Sequence, residues 1–570
     1  MMSSLLPFSI FFIGAGLALF TKGILRAAIM LAIPIVGAIN LYMTPADAAS
    51  NVTLLGYQLD LLRVDKLSLL FGYLFHLAAF LGIIFSLHVE DRVQHVAGLV
   101  YAGSALGAVF AGDFITLFIF WELLAVSSVF LILARRTERS YGAAMRYLLI
   151  QVGSGVIMLA GIGLYAMATG STTIKQIGLQ NWDQGFAGMA SWLLLLAIGI
   201  KACFPLLHNW LTDAYPEATP TGTVFLSAFT TKVAIYTLAR TFAGTELLVY
   251  IGAGMAMFPI FFAVIENDLR RVLAYSLINQ VGFMVVGIGI GTSLAVNGAV
   301  SHAFNDVIFK GLLFMSMGAV LYRTGKINGS ELGGLYKSMP WTTGFCMVGA
   351  ASISAFPLFS GFVSKSMVMV AALEEHHSAV WLALLFASAG VFHHAGIKIP
   401  YFAFFAHDSG LRPKEAPINM LVAMGLAAAI CIFNGSYPWL LYSMLPYPVD
   451  YQPYTAAHVL TQSQLLFFSA LAFVWLQLRG LYPPELPGIN IDAEWFYRRA
   501  LPAIGHWGRN AAAAVYNEWL GLRGAVVRGA NAGLYRLHGP DGVFGRTWPT
   551  GRMAFWTTVM LGAYVLTSYF

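Results

Sequence analysis

The chain has 570 residues, of which 58% are hydrophobic and only 10% charged, and its mean hydropathy is +0.73. Soluble domains carry about 25% charged residues, so this composition excludes a soluble enzyme with an anchor and predicts an all-α polytopic membrane protein. The net charge of +6 is too diffuse for nucleic-acid binding and reads as loop orientation in a membrane.

In chain order, apolar stretches separated by short polar turns predict 14–16 transmembrane helices, on the criterion of about 20 apolar residues per span. They lie near 5–20, 26–43, 67–88, 94–111, 114–134, 143–168, 189–211, 221–242, 246–265, 272–292, 298–321, 342–370, 379–405, 417–443, 461–479 and 553–570. The stretch from Leu5 to Phe20 lacks a basic leader and a small-residue cleavage site, so it reads as a retained span and not as a signal peptide. Lys22 and Arg26, Arg135, Arg136 and Arg139, Arg270 and Arg271, and Arg323, Lys326 and Lys337 all follow odd-numbered spans. The positive-inside rule then puts those connections in the cytoplasm and both termini outside, although Arg63 and Lys66 blur the second connection.

Residues 480–552 differ from the rest. They hold eight arginines and no lysine, with Trp495, Val515, Trp519 and Val526 between the charges. This pattern predicts interfacial amphipathic helices on the cytoplasmic side, interrupted at Pro502 and Pro540.

Charged residues inside apolar spans carry the functional signal, because they are costly there and tolerated mainly along ion paths. Lys201, in Gly199-Ile200-Lys201-Ala202-Cys203-Phe204-Pro205, and Lys398, in Gly396-Ile397-Lys398-Ile399-Pro400, share a local setting: a Gly-Ile pair before, a proline soon after, and then His208 or His407. Two proline-broken, charged helices in matching positions are expected of an inverted-repeat transporter. Glu122 stands mid-span in Phe118-Ile119-Phe120-Trp121-Glu122-Leu123-Leu124, and Lys201 is its expected partner. Lys232 follows one helix later, and a buried lysine near another cation can exchange its proton near neutral pH. His302, Asp306 and Lys310 recur at i, i+4 and i+8, which aligns them on one helix face. An Asp306–Lys310 ion pair is expected there. His393 and His394 lie one turn before Lys398 and can feed it, whereas Lys365, in Ser360-Gly361-Phe362-Val363-Ser364-Lys365, reads as a structural lysine near a helix end. Cys203, Cys346 and Cys431 show no metal-ligand or disulfide spacing. No nucleotide loop stands in a strand–helix context, so neither a cofactor nor a metal is expected.

These residues also carry a family resemblance. Lys201 through Leu211 running on to Pro216-Glu217-Ala218, then Arg271-Val272-Leu273-Ala274-Tyr275-Ser276, His302 through Phe314, and Ser360-Gly361-Phe362 with Ser364-Lys365 resemble, in order, the antiporter-like subunits of respiratory complex I and of Mrp-type sodium/proton antiporters. The D-type subunit of the Mrp antiporters is the most similar in detail. The resemblance covers about residues 65–410. It implies two inverted five-helix repeats containing broken helices, each a half-channel, a polar axis of Glu122, Lys201, Lys232, Lys310 and Lys398, no cofactor, and a place in a multi-subunit membrane assembly. The chain departs from the family at Asp306, where a second histidine is usual.

The expected organisation is N-terminal helices at 1–93, a first repeat at 94–242, a second at 246–410, C-terminal helices at 411–480, the arginine-rich segment at 481–552 and a last span at 553–570. The expected function is proton translocation in a multi-subunit sodium/proton antiporter of the bacterial inner membrane, through Glu122, Lys201, Lys232, His302, Asp306, Lys310 and Lys398. Other membrane subunits, protons and sodium are the expected partners, and nucleic acid is not. The alternatives are a proton-pumping subunit of a complex I-like dehydrogenase or membrane hydrogenase, a proton-coupled subunit of an inorganic-carbon uptake complex, and a membrane scaffold that conducts nothing.

Overall fold

A computed structural model describes residues 5–45, 48–54, 56–488 and 490–569. The chain forms two compact units, Met1–Asn490 and Ile491–Phe570. Among the described residues twelve helices are long and apolar enough to cross a bilayer, and Pro7–Phe20 and Gly185–Lys201 are shorter apolar helices beside them. The protein is an all-α polytopic membrane protein.

Within the first unit, two five-span repeats follow one another. The first runs Arg92–Phe110, Phe114–Leu133, Glu138–Thr169, then two interrupted spans, Gly185–Lys201 with Asn209–Ala214 and Gly222–Ala228 with Thr230–Thr241. The second runs Glu246–Ile265, Leu269–Ile290, Ser293–Thr324, an interrupted span of Pro340–Ile353 with Ser360–Glu374, and a last span from Ser378 to Phe405. An odd number of spans per repeat sets the second repeat upside down relative to the first.

The repeats match in their caps. Asp113 caps one helix by accepting from the backbone N–H groups of Ile115 and Thr116, at 2.8 and 2.9 Å. Asp268 does the same for Arg270 and Arg271, at 2.9 and 3.2 Å. Such caps satisfy N–H groups that a helix start leaves without partners. Each aspartate also bridges a later backbone residue, Asp113 to Thr173 and Asp268 to Asn328. Glu138–Thr169 and Ser293–Thr324 are both 32 residues long, and both end on a left-handed glycine, Gly170 or Gly325. One 155-residue step relates 113 to 268, 170 to 325 and 173 to 328.

The breaks match too, but not where the lysine motifs point. Cys203 and Leu206 have positive φ of 66° and 69°, and Ala355 and Leu358 have 59° and 72°. Non-glycine residues seldom adopt that region, and here it recurs just before and at the end of the same Phe-Pro-Leu words, Phe204-Pro205-Leu206 and Phe356-Pro357-Leu358. The structural counterpart of the Lys201 break is thus the stretch before Lys365, not the Lys398 helix. The span expected unbroken at 342–370 is in fact two helices with this loop between them. Around Lys398 the helix instead widens into π turns at Phe392–Ile397 and Tyr401–Phe405. Pro400 cannot donate to the helical ladder, and wide turns of this kind concentrate at functional sites.

The other differences are local. Ala49–Leu54 and Tyr57–Arg63 form an antiparallel hairpin that a reading of apolar spans does not assign. It is pinned to the first repeat, since the Asp60 N–H donates to Asp113 Oδ2 at 2.7 Å and Arg63 donates to the Ile174 carbonyl at 2.9 Å. In the second unit Leu501–His538 is one continuous helix of 38 residues. Pro502 does not interrupt it: the chain is already helical ahead of Leu501, and the missing proline N–H falls just after a wide π turn at Phe496–Ala500. Pro540 does mark its end, after the Gly539 cap. Thr550–Tyr569 is helical as expected but lies outside the twelve apolar spans, with Arg552 and several hydroxyl residues diluting it.

Candidate functional site

Through the middle of the first unit runs a series of buried ionisable groups. The side chains of Lys201, Lys232, His302, Asp306, Lys310, Lys365 and Lys398 are all buried. Glu122 is partly buried. Each lysine is held by groups that helix ends and breaks leave without helical partners, or by a side chain across the bundle.

Lys201 closes the Gly185–Lys201 helix and donates to the Trp121 carbonyl at 2.6 Å, with its ammonium 4.4 Å from the centre of the Trp121 ring. Its expected partner, Glu122, interacts with it electrostatically. Glu122 Oε1 is buried and has no hydrogen-bond partner among the described residues. It rests on Gly155, where a Cβ would collide with it. The carboxylate is therefore held by a space, not by a donor. Gly155→Ala is expected to push Glu122 out of line and to lower transport at least threefold with little loss of melting temperature, because the far end of a side chain can move. Exchange assays and thermal melts of the same preparation check this.

Lys232 follows the break at Phe229 and donates to the Ser227 carbonyl at 3.3 Å. Its main contact is Asp306 Oδ2 at 2.6 Å, with both side chains wholly buried. Spacing along one helix face pairs Asp306 with Lys310. The structure pairs it across the interface of the two repeats instead, and Lys310 donates to Ser276 Oγ at 2.8 Å. The reason is geometric: Lys310 occupies the place that Gly155 has in the first repeat, one 155-residue step on, and points at the helix that carries Ser276. Lys365, structural by its sequence setting, joins the same cluster. It donates to the Ile353 carbonyl at 3.0 Å, lies 5.0 Å from the Phe283 ring centre and interacts electrostatically with Asp306. One carboxylate thus faces three lysines. His302 lies beside them, with Nε2 3.1 Å from Gln280 Oε1 and Nδ1 3.1 Å from Ser364 Oγ.

Lys398 ends the series. It donates to the carbonyls of Ala263, Val264 and Glu266 and lies 2.9 Å from Glu485 Oε1. His394, fully buried one turn earlier, feels the charge of both Lys310 and Lys398. Burial pushes the Glu485 carboxyl up from its ordinary range, and the Lys398 ammonium pulls it the other way. Glu485 and Lys365 are the residues that sequence reasoning misses. Lys365 has a signal, the repeated Phe-Pro-Leu word before it. Glu485 stands in a loop without regular structure, and nothing in its surroundings marks it.

Between the repeats lies Arg270, also fully buried. Its guanidinium donates to the carbonyls of Tyr215, Pro216, Ala218 and Thr219 at 3.0–3.4 Å, and to Thr223 Oγ1. It therefore ties the turn between the two interrupted spans of the first repeat to the start of the second repeat's second helix.

Residues 111–392 match the membrane-subunit family described as NADH:quinone oxidoreductase/Mrp antiporter. An A-type subunit of a sodium/proton antiporter from Alkalihalophilus pseudofirmus is 31% identical over 425 residues, covering 66% of this chain and 52% of the relative. The chain thus spans about half the length of that relative. An N-type subunit of an NADH-quinone oxidoreductase from Desulforudis audaxviator is 33% identical over 354 residues, 58% of this chain and 69% of the relative. Among solved structures, a chain of the Mrp complex from Dietzia superposes with a TM-score of 0.75 at 24% identity, over 99% of this chain and 62% of its own length. The order of spans, the paired breaks and these matches agree, and the chain belongs to the NADH:quinone oxidoreductase/Mrp antiporter family of membrane subunits.

Proposed function

We propose that the chain is the proton-translocating subunit of a multi-subunit monovalent cation/proton exchanger in a bacterial inner membrane, with sodium as the exchanged cation. The observation that carries this reading is the charge imbalance around Asp306, which faces Lys232, Lys310 and Lys365 away from water. Isolated charges are expensive in such a place. A cluster of three lysines and one carboxylate is relieved when a proton moves on, and His394 and Lys398, beyond Lys310, give it somewhere to go. On the other side Lys201 and Glu122 form an entrance whose state changes as the two groups approach or separate. Protons then pass from Lys201 to Lys232, on to Lys310 and out by Lys398.

Relatives named as sodium/proton antiporter subunits support the exchanger reading. A second reading, a proton-pumping subunit of a redox complex, is favoured by the match to an NADH-quinone oxidoreductase subunit. The experiment that tests translocation is Glu122→Gln in the intact assembly, assayed in everted vesicles. Lost exchange with unchanged assembly is expected, whereas wild-type exchange would sink the proposal. Identifying the co-purifying subunits separates the two readings, since only a redox partner would bring flavin, iron–sulfur or quinone sites.

A further inference from the structure

The surroundings of Lys398 are unlike those of the other lysines. Its ammonium lies 3.2 Å from the Ala263 carbonyl, 2.6 Å from that of Val264, 2.6 Å from that of Glu266 and 2.9 Å from Glu485 Oε1. An ammonium has three N–H donors, so four oxygens are one more than it can use. The three carbonyls come from the end of Glu246–Ile265, where a helix leaves carbonyls without helical donors and carries partial negative charge. The side chain of Glu485 is 5% exposed, and its second oxygen has no hydrogen-bond partner among the described residues. Beside it a cavity of about 460 Å³, lined by Ser330, Phe402, His407, Tyr482 and Glu485, opens toward solvent.

Carbonyl and carboxylate oxygens without nitrogen or sulfur suit hard cations, and rings of carbonyls replace the water of alkali ions in channels. We propose that this oxygen cage is a binding site for a dehydrated monovalent cation, for which the Lys398 ammonium acts as a tethered stand-in. A metal cation then enters only as Lys398 withdraws, and the cage keeps its charge through the exchange. The other titratable groups around the cage are Glu266, with Arg271 4.0 Å from its carboxylate, His393, His394 and Tyr482, which interacts with Glu485. The Glu266 carboxylate is already engaged, accepting from the N–H groups of Asn267 and Asp268 and from Asn490. The physiological meaning of the site rests on the exchanger reading, but the binding itself does not.

The test is therefore binding, not transport. The full chain in nanodiscs, as wild type, Lys398→Met and Lys398→Met/Glu485→Gln, is titrated with radiolabelled sodium and, separately, with rubidium as a potassium analogue. A tethered competitor acts at millimolar or higher effective concentration, so Lys398→Met should bind one of the two ions at least roughly tenfold more tightly than wild type. The double variant should lose that gain, and the arm that responds identifies the ion. Equal binding by a monodisperse Lys398→Met and wild type, for both ions, overturns the site. Should Lys398→Met be unstable in choline chloride, the preferred ion must restore its melting temperature, because a ligand of the folded state stabilises it. A variant that neither sodium nor potassium rescues overturns the proposal as well. Tight binding in a chain whose Glu122→Gln form still exchanges ions would leave the cage standing and the proton path refuted, so the two failures are told apart.

Discussion

Asp306→Asn is expected to lose most ion exchange and to lower the melting temperature markedly. Asp306 is in contact with Lys232 and interacts with Lys310 and Lys365, all out of water. Removing one partner of a buried pair costs about 3–5 kcal/mol, because the remaining ion is left uncompensated. Here the loss is felt by three lysines at once. Replacing both partners by apolar groups is far milder. Lys232→Met/Asp306→Leu should therefore recover part of the lost melting temperature and none of the exchange. That split separates an ionic role in transport from a merely structural pair. Thermal melts and vesicle assays on matched expression decide it, and wild-type exchange in the double variant would show that the path avoids this contact. Asp306→His restores a titrating group at this place and should keep more exchange than Asp306→Asn, with an altered pH profile.

Lys201→Arg is expected to fail almost as completely as Lys201→Ala, each losing at least roughly tenfold in exchange rate, or about 1.4 kcal/mol. The argument is again local. Lys201 is fully buried, bonds the Trp121 carbonyl at 2.6 Å and lies against the Trp121 ring. A guanidinium is bulkier, makes planar forked bonds and stays protonated. It can neither fit the ammonium's place nor hand a proton to Lys232. Normal exchange by Lys201→Arg would mean that a fixed charge suffices and that no proton leaves this residue.

Much of this architecture is legible because spans are written in long apolar runs. The predicted 246–265 span coincides with Glu246–Ile265, and most others differ by a few residues at fraying ends. Glu122, Lys201, Lys232, His302, Asp306, Lys310 and Lys398 can be singled out one by one because charge in an apolar run is conspicuous. Their partners cannot. The Lys232–Asp306 contact joins two helices whose approach is set by packing, and no spacing along one helix reveals it. The Gly-Ile-Lys words at 199–201 and 396–398 suggest a false correspondence, since a shared tripeptide says nothing about backbone path. The true correspondence lies in the Phe-Pro-Leu loops, where positive φ on both sides of the pair fixes the same turn twice. The 342–370 stretch reads as one span because both halves are equally apolar, and Pro357 alone gives no measure of how far the chain unwinds.

Arg270 binds the two repeats to each other. Its side chain sits on the second repeat's Asp268-capped turn, and the oxygens to which it donates belong to the first repeat's turn at Tyr215–Thr223. Suppose that turn shifts when Lys201 and Glu122 part. Either the start of Leu269–Ile290 follows, or a guanidinium is stranded among carbonyls it no longer reaches. The second choice costs several kcal/mol, so the first prevails. The helix that would be dragged is the one bearing Ser276, which holds Lys310. A rivet placed at the seam thus means that a shift of the first repeat's turn is passed to the second repeat's helix, and through Ser276 to Lys310, instead of being absorbed where it starts.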